Sequence, residues 1–157
     1  MFSLPISVRE ALFVFSSIST SSSFNKGISS VAKLASSISQ IKWVNKGESI
    51  GYGRSQKVNK DTKIGIIPIG YADGYSRILS NGKGNMFING NLVPTIGNIC
   101  MDMTMIDLTG IEAKKGDQVE IFGADHTIEE LAIEMNTIPY EILSSISERV
   151  VRIYIED

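Results

Sequence analysis

An Asn-Gly pair between two apolar arms, Phe87-Ile88-Asn89-Gly90-Asn91-Leu92-Val93, narrows the fold of this chain more than any other feature. Both central positions of a two-residue type I′ turn need positive φ, which asparagine and glycine tolerate best. The segment therefore reads as a β-hairpin. Similar short runs with turn punctuation surround it. Ser39–Val44 is a strand candidate ended by Asn45-Lys46-Gly47, and Glu48–Tyr52 is another, closed by Gly53. Lys63–Ile69 is rich in isoleucine, with Ile64 and Ile66 on one face. Pro68 inside that run marks an edge strand or a strand end, because proline cannot donate to the ladder. Met103–Leu108 and Gln118–Phe122 read as two more strands. Val151, Ile153 and Ile155 alternate with Arg152, Tyr154 and Glu156, the pattern of a half-buried final strand.

One helix is well signalled. Thr127-Ile128-Glu129-Glu130 is a capping box, in which the threonine oxygen accepts from the third amide and Glu130 reaches back. Ile128, Leu131, Ala132 and Met135 follow at helical spacing, and Asn136 and Pro139 stop the run. A short second helical turn is expected around Tyr140–Ser145. Many short strands with one main helix predict a mainly β fold, a small β-barrel or sandwich.

Composition changes near residue 36. Ser16–Ser23 is almost all Ser, Thr and Ile, and the bias continues to Ser37 without a clean period. Residues 1–36 are expected to be an irregular leader, with a weak helix over Ser29–Ser36, and residues 37–157 one β domain. Ala11–Ile18 imitates a signal peptide, but its apolar core is short and Glu10 stands beside Arg9, so export is not expected.

The remaining composition excludes several classes. The net charge is −2 and the basic residues are scattered, so no face tracks a phosphate backbone. The single cysteine, Cys100, cannot form an internal disulfide, which fits a reducing cytoplasm. No run of about 18 apolar residues is present to cross a membrane as a helix.

Without a family in mind, the chain is poor in catalytic machinery. Its one histidine, His126, precedes the helix cap and reads as a loop or capping neighbour. No zinc, redox or nucleotide-binding signature occurs, and no metal site is expected. The glycines of Gly51-Tyr52-Gly53 and Gly82-Lys83-Gly84 read as turns. Two segments stand out. In Ile69-Gly70-Tyr71-Ala72-Asp73-Gly74-Tyr75, a tyrosine between glycines follows a buried strand. By itself that reads as a turn with an amphipathic tyrosine packed on the barrel. In Ile96-Gly97-Asn98-Ile99-Cys100-Met101-Asp102-Met103, Gly97 permits close approach of backbone. By itself that is a buried Cys-Met segment entering a strand.

In their order, these segments carry a resemblance. GYGR (51–54), PIGYADGY (68–75), VPTIGNICMDMTMID (93–107), GDQVEIFG (116–123) and NTIPYEILSSISERVVRIY (136–154) succeed one another. The set is similar to the C-terminal domain of pyridoxal-phosphate-dependent alanine racemases, over residues 37–157. The wording of NICMDMTMID and TIPYEIL most resembles racemases fused behind a peptidoglycan-precursor ligase.

The resemblance implies a cytoplasmic enzyme that interconverts L- and D-alanine for peptidoglycan. Its cofactor, pyridoxal 5′-phosphate, is held on a lysine of a preceding (β/α)₈ barrel and stores the electrons left at the α-carbon. The family works as a head-to-tail homodimer, each site taking its barrel from one subunit and a tyrosine from the other. Two acid/base groups on opposite faces of the substrate suffice. The resemblance implies that one is the barrel lysine and the other Tyr71, the catalytic candidate here. It also implies that the Met101 backbone amide faces the substrate carboxylate and that Tyr140 reaches the cofactor phosphate. Asn98 stands where some relatives carry an arginine in the entrance, and Cys100 receives no chemical role.

The chain departs from the family at its start. A complete member has a barrel of more than about 200 residues before this domain, whereas 36 residues precede it here. A truncated or frame-disrupted reading frame, with Met1–Ser23 as spurious sequence, is the expected explanation. The chain alone is then expected to be inactive. The alternative is a non-catalytic β-barrel interaction module, or an inert remnant of a truncated gene.

Overall fold

The computed structural model describes residues 12–16, 32–51 and 56–155, with side chains over 32–51 and 56–154. Strands β1 (Leu12–Ser16) and β2 (Ala32–Ser37) lead into β3 (Gln40–Val44), β4 (Ser49–Ile50), β5 (Gln56–Lys57) and β6 (Thr62–Ile67). Then come β7 (Asn85–Ile88), β8 (Asn91–Pro94), β9 (Thr104–Asp107) and β10 (Gln118–Phe122). Helices α1 (Ile128–Met135) and α2 (Pro139–Ser145) precede the last strand, β11 (Val151–Ile155). Six strands form one sheet in the order β11-β1-β2-β10-β7-β8, and three form a second, β3-β6-β9. β4 and β5 make a separate two-stranded arm. The mainly β reading holds, with a sandwich-like arrangement.

Local chemistry explains most elements. Asn89 and Gly90 have φ of 46° and 81° and join β7 to β8 with Ile88 paired to Asn91. That is the two-residue turn expected from the sequence. β6 stops at Ile67, one residue before Pro68. Because β6 is the central strand of its sheet, proline marks its end and not an edge. Thr127 caps α1 through the expected box, accepting from the Glu130 amide while Glu130 accepts from the Thr127 amide. Asn136 closes the helix in the left-handed region at φ 53°. Pro139 opens α2 at its first position, where its missing N–H costs nothing.

The two sheets meet over one main core. Leu34, Ile67, Ile69, Ile106, Phe122 and Leu131 are all buried there. A smaller cluster of Ile50, Val58, Ile64, Ile96 and Met105 lies under the β4–β5 arm, with Ile66 packed against it. Ile64 and Ile66 thus face one cluster and Ile67 the other, as period-2 alternation requires.

Two expectations are corrected. The weak helix over Ser29–Ser36 is strand β2 from Ala32, paired antiparallel with β1 and with β10. Leu34, Ala35, Ser36 and Ser37 are all buried, so no alternation of polar and apolar residues betrays the strand. β11 is also less buried than its alternation implied: Val151 is 43% exposed and Tyr154 71%. Of the expected leader, Leu12–Ser16 is strand β1, parallel to β11, while residues 1–11 and 17–31 lie outside the described residues. The expected strand over Glu48–Tyr52 and the GYGR motif also run into that excluded range, at residues 52–55. No helix among the described residues is long and apolar enough to cross a membrane.

Candidate active site

The Tyr71 segment is a tight 3-10 turn, Tyr71–Asp73, on the end of β6. Thr104 Oγ1 on β9 donates to the Ile69 carbonyl at 2.7 Å and anchors its start. The buried Asp73 carboxylate accepts the Gly70 N–H at 2.8 Å, closing the turn with its own side chain. Gly74 ends it at φ 107°, where a β-carbon would lie 2.6 Å from the Ser145 carbonyl oxygen at the end of α2. Tyr71 itself is 43% exposed.

The second segment, Asn98–Met103, packs directly on this turn. The Tyr71 N–H donates to the Cys100 carbonyl at 3.1 Å and the Ala72 N–H to the Met101 carbonyl at 3.0 Å. Cys100 N–H donates to the Met103 carbonyl at 2.9 Å, so the run folds back on itself. The Cys100–Met101 peptide is trans. Its carbonyl points at Tyr71, so the Met101 N–H points the opposite way. That amide has no hydrogen-bond partner among the described residues.

Tyr71, Arg77 and the run from Asn98 to Met103 line an open cleft of about 400 Å³. Sequence reasoning nominated Tyr71 and Met101 separately, and the fold puts both on one wall. Asn98 joins them, held by the Asn81 side-chain amide at 3.0 Å. Tyr140 is not among the lining residues; it is 78% exposed near the start of α2. Cys100 is half-buried in the wall.

Four charged groups went unnoticed in the sequence. Arg77 is one of the residues that line the cleft. Asp102, beside Met101, and Asp73, in the Tyr71 turn, are both bound by Arg149. The two acids could have been nominated by adjacency to the nominated residues, but nothing local points to Arg149.

His126 lies outside this site, buried below the N-terminus of α1. Its Nδ1 is 2.8 Å from the Ile121 carbonyl and its Nε2 3.5 Å from Glu134. The reading as a capping neighbour, not a general base, fits that placement. No three His, Cys, Asp or Glu side chains among the described residues are placed to hold a metal ion.

Known proteins share this architecture. Residues 31–154 match the family model described as alanine racemase, C-terminal domain. The alanine racemase of Helicobacter acinonychis is 45% identical over 132 residues, which cover 82% of this chain and 35% of that protein. That of Clostridium tetani is 43% identical over 145 residues, 87% of this chain and 38% of that one. Among solved structures, Bartonella henselae alanine racemase with covalently bound pyridoxal phosphate superposes at a TM-score of 0.76. It is 38% identical, over 80% of this chain and 35% of that one. The Clostridium difficile 630 racemase in complex with cycloserine gives 0.74 at 40% identity, over 81% and 34% of the two chains. The chain thus spans about a third of the length of these relatives. The family match over 31–154 and the shared fold place the chain in the alanine racemase C-terminal domain family.

Proposed function

We propose that this chain contributes the C-terminal part of an alanine racemase active site that a cofactor-bearing barrel completes. The observation that carries this reading is the shared wall of Tyr71 and Met101. An unpartnered N–H suits a carboxylate, which accepts charge-assisted hydrogen bonds. The Met101 amide receives the alanine carboxylate, and the Tyr71 hydroxyl takes or returns the α-proton on one face. The acid/base group of the opposite face belongs to the barrel. The assembly is the family's head-to-tail dimer in the cytoplasm, and its D-alanine serves peptidoglycan.

Anchoring pyridoxal phosphate requires an amine for a Schiff base. No lysine lines the cleft among the described residues. The residues present therefore fit a contact to the cofactor and not its anchoring. The exposed Tyr140 hydroxyl is available to its phosphate.

A second reading of the phenol rests on the backbone around GYGR. A β-carbon on Gly51 would lie 3.4 Å from the Asn98 amide nitrogen. Gln56 Oε1 accepts the Gly97 N–H at 2.6 Å. Residues 51 and 56, which flank residues 52–55, thus both lie against the Gly97–Asn98 backbone, and Asn98 lines the cleft. That makes Tyr52 the competing proton carrier.

The test is alanine racemisation with pyridoxal phosphate, using the chain alone and mixed with a purified alanine racemase barrel. Tyr71→Phe and Tyr52→Phe are assayed in parallel. Activity only in the mixture, lost in Tyr71→Phe, is the expected result. Loss in Tyr52→Phe with Tyr71→Phe active moves the proton step to Tyr52. Turnover by the chain alone contradicts the need for a barrel. A folded chain that stays inactive in the mixture is a non-catalytic module or remnant.

A further inference from the structure

The proposed carboxylate site is made of two turns far apart in sequence, and a third segment fastens them. Arg149, just before β11, donates from Nε to Asp73 Oδ1 at 2.8 Å and from Nη2 to Asp102 Oδ1. Asp73 belongs to the Tyr71 turn and Asp102 follows Met101 directly. The Asp73 carboxylate also holds the Gly70 N–H, and the Asp73 carbonyl accepts the Ser147 N–H at 3.2 Å. One buried acid therefore joins the Tyr71 turn, the segment before β11 and, through Arg149, the Met101 turn.

The Asp102 arm of this contact is poorly suited to a purely stabilising role. The Arg149 and Asp102 side chains are 48% and 55% exposed, and ion pairs this open to water add little stability. A guanidinium is a rigid planar fork, however, and it fixes the mutual orientation of two carboxylates in a way a point charge does not. Rotation of the Asp102 turn would rotate the Cys100–Met101 peptide, and with it the direction of the Met101 N–H.

We infer that Arg149 is a positioning residue: by clamping Asp102 to Asp73 it holds the Met101 amide at the angle that receives a carboxylate. This rests on the proposed role of that amide. It assigns a function to a side chain that does not line the cleft.

The test uses the whole chain, with acetate as the carboxylate probe and the Met101 backbone amide observed by two-dimensional NMR. Wild type, Arg149→Met and Arg149→Lys are compared, with thermal midpoints as the check on folding. In the wild type, the Met101 amide resonance moves saturably with acetate. In both variants the apparent affinity at that amide falls about tenfold or more, which corresponds to about 1.4 kcal/mol. The thermal midpoint of Arg149→Lys, which keeps a charge beside the buried Asp73, stays close to wild type, while that of Arg149→Met falls because this carboxylate loses its cation. Lysine keeps the charge but lacks the fork, so its failure to rescue separates orientation from simple attraction. Equal affinity in wild type and Arg149→Lys overturns the clamp. A wild-type Met101 amide that ignores acetate overturns the proposed carboxylate site itself, and the inference with it. Variants that unfold are replaced by Asp102→Asn, which removes one charge at the surface. Undiminished acetate affinity in that protein overturns the clamp.

Discussion

Gly70 and Met101 touch so closely that a β-carbon on Gly70 would collide with the Met101 carbonyl oxygen. The same carbon would strike the Cys100 carbonyl oxygen. Gly70 is extended, with φ −145°, so the requirement for glycine is space and not backbone conformation. The Tyr71 turn and the Met101 turn can share their two backbone hydrogen bonds only because nothing projects from this position.

Gly70→Ala tests that contact. Backbone atoms cannot swing aside as a side-chain tip can, so the two turns must separate. Overpacking of this kind costs about 1–3 kcal/mol. The expected outcome is a lower denaturation midpoint together with faster hydrogen exchange at the Tyr71 and Ala72 amides. Exchange unchanged at both amides would show that the turns are not held by this approach.

Glu120 is a buried carboxylate with three donors. It accepts from the Asp125 N–H at 2.8 Å, the His126 N–H at 3.2 Å and Lys33 Nζ at 2.7 Å. Burial pushes its pKa up, but Lys33 and the two amides outweigh that and hold it below the usual carboxylate range. Glu120→Ala strands the donors. The expected loss is about 2–3 kcal/mol by urea denaturation, discounted because Lys33 is partly exposed and regains water. A loss below about 0.5 kcal/mol, the scale of an ordinary surface change, would sink this account.

His126 makes stability depend on pH. Its Nδ1 meets the Ile121 carbonyl, while its Nε2 makes no hydrogen bond among the described residues and stands 3.5 Å from the Glu134 carboxylate. Burial pushes the pKa of His126 down, but Glu134 and the carbonyl outweigh it, and the net shift is upward. The folded value therefore lies above the unfolded one of about 6.5. The stabilisation is full below that value and is lost as pH rises through the folded pKa. Glu134 is shifted down despite its burial, mainly by His126 and Asn85, so its own contribution is lost as pH falls through its folded pKa. Denaturation midpoints measured from pH 5.5 to pH 9 should fall across the histidine step, and His126→Gln should flatten that fall. Parallel profiles for the two proteins would refute the assignment.

The hairpin offers a test of turn chemistry. Gly90 has φ 81° and open space where a side chain would begin. A substitution there is limited by conformation alone. Gly90→Val is expected to cost about 1–2 kcal/mol, the penalty of a left-handed conformation for a residue with a β-carbon. Gly90→Asn, which tolerates that region, should cost less. Equal losses for the two would show that the turn has relaxed to another type.

The elements legible in the sequence were those governed by neighbours a few residues apart. The Asn89-Gly90 turn, the Thr127–Glu130 box, the Asn136 cap and the stop at Pro68 each follow from local stereochemistry. β2 was misread because burial on both faces erased the alternation that marks a strand. The candidate site divides in the same way. Tyr71 and Met101 stood out through the glycine turns and motifs that carry them. Arg149 did not, because its contact with Asp102 joins residues 47 positions apart.

The sequence by itself determined the β class of the fold, the turns and caps, and the family, since these depend on local backbone preference and on the order of motifs. Tertiary structure alone decided that the Tyr71 and Met101 turns share a wall, that the Met101 amide points away from Tyr71, and that Arg149 fastens the two. Those relations come from packing between strands distant in the chain, where direction and distance are set by the sheets and not by any residue's neighbours.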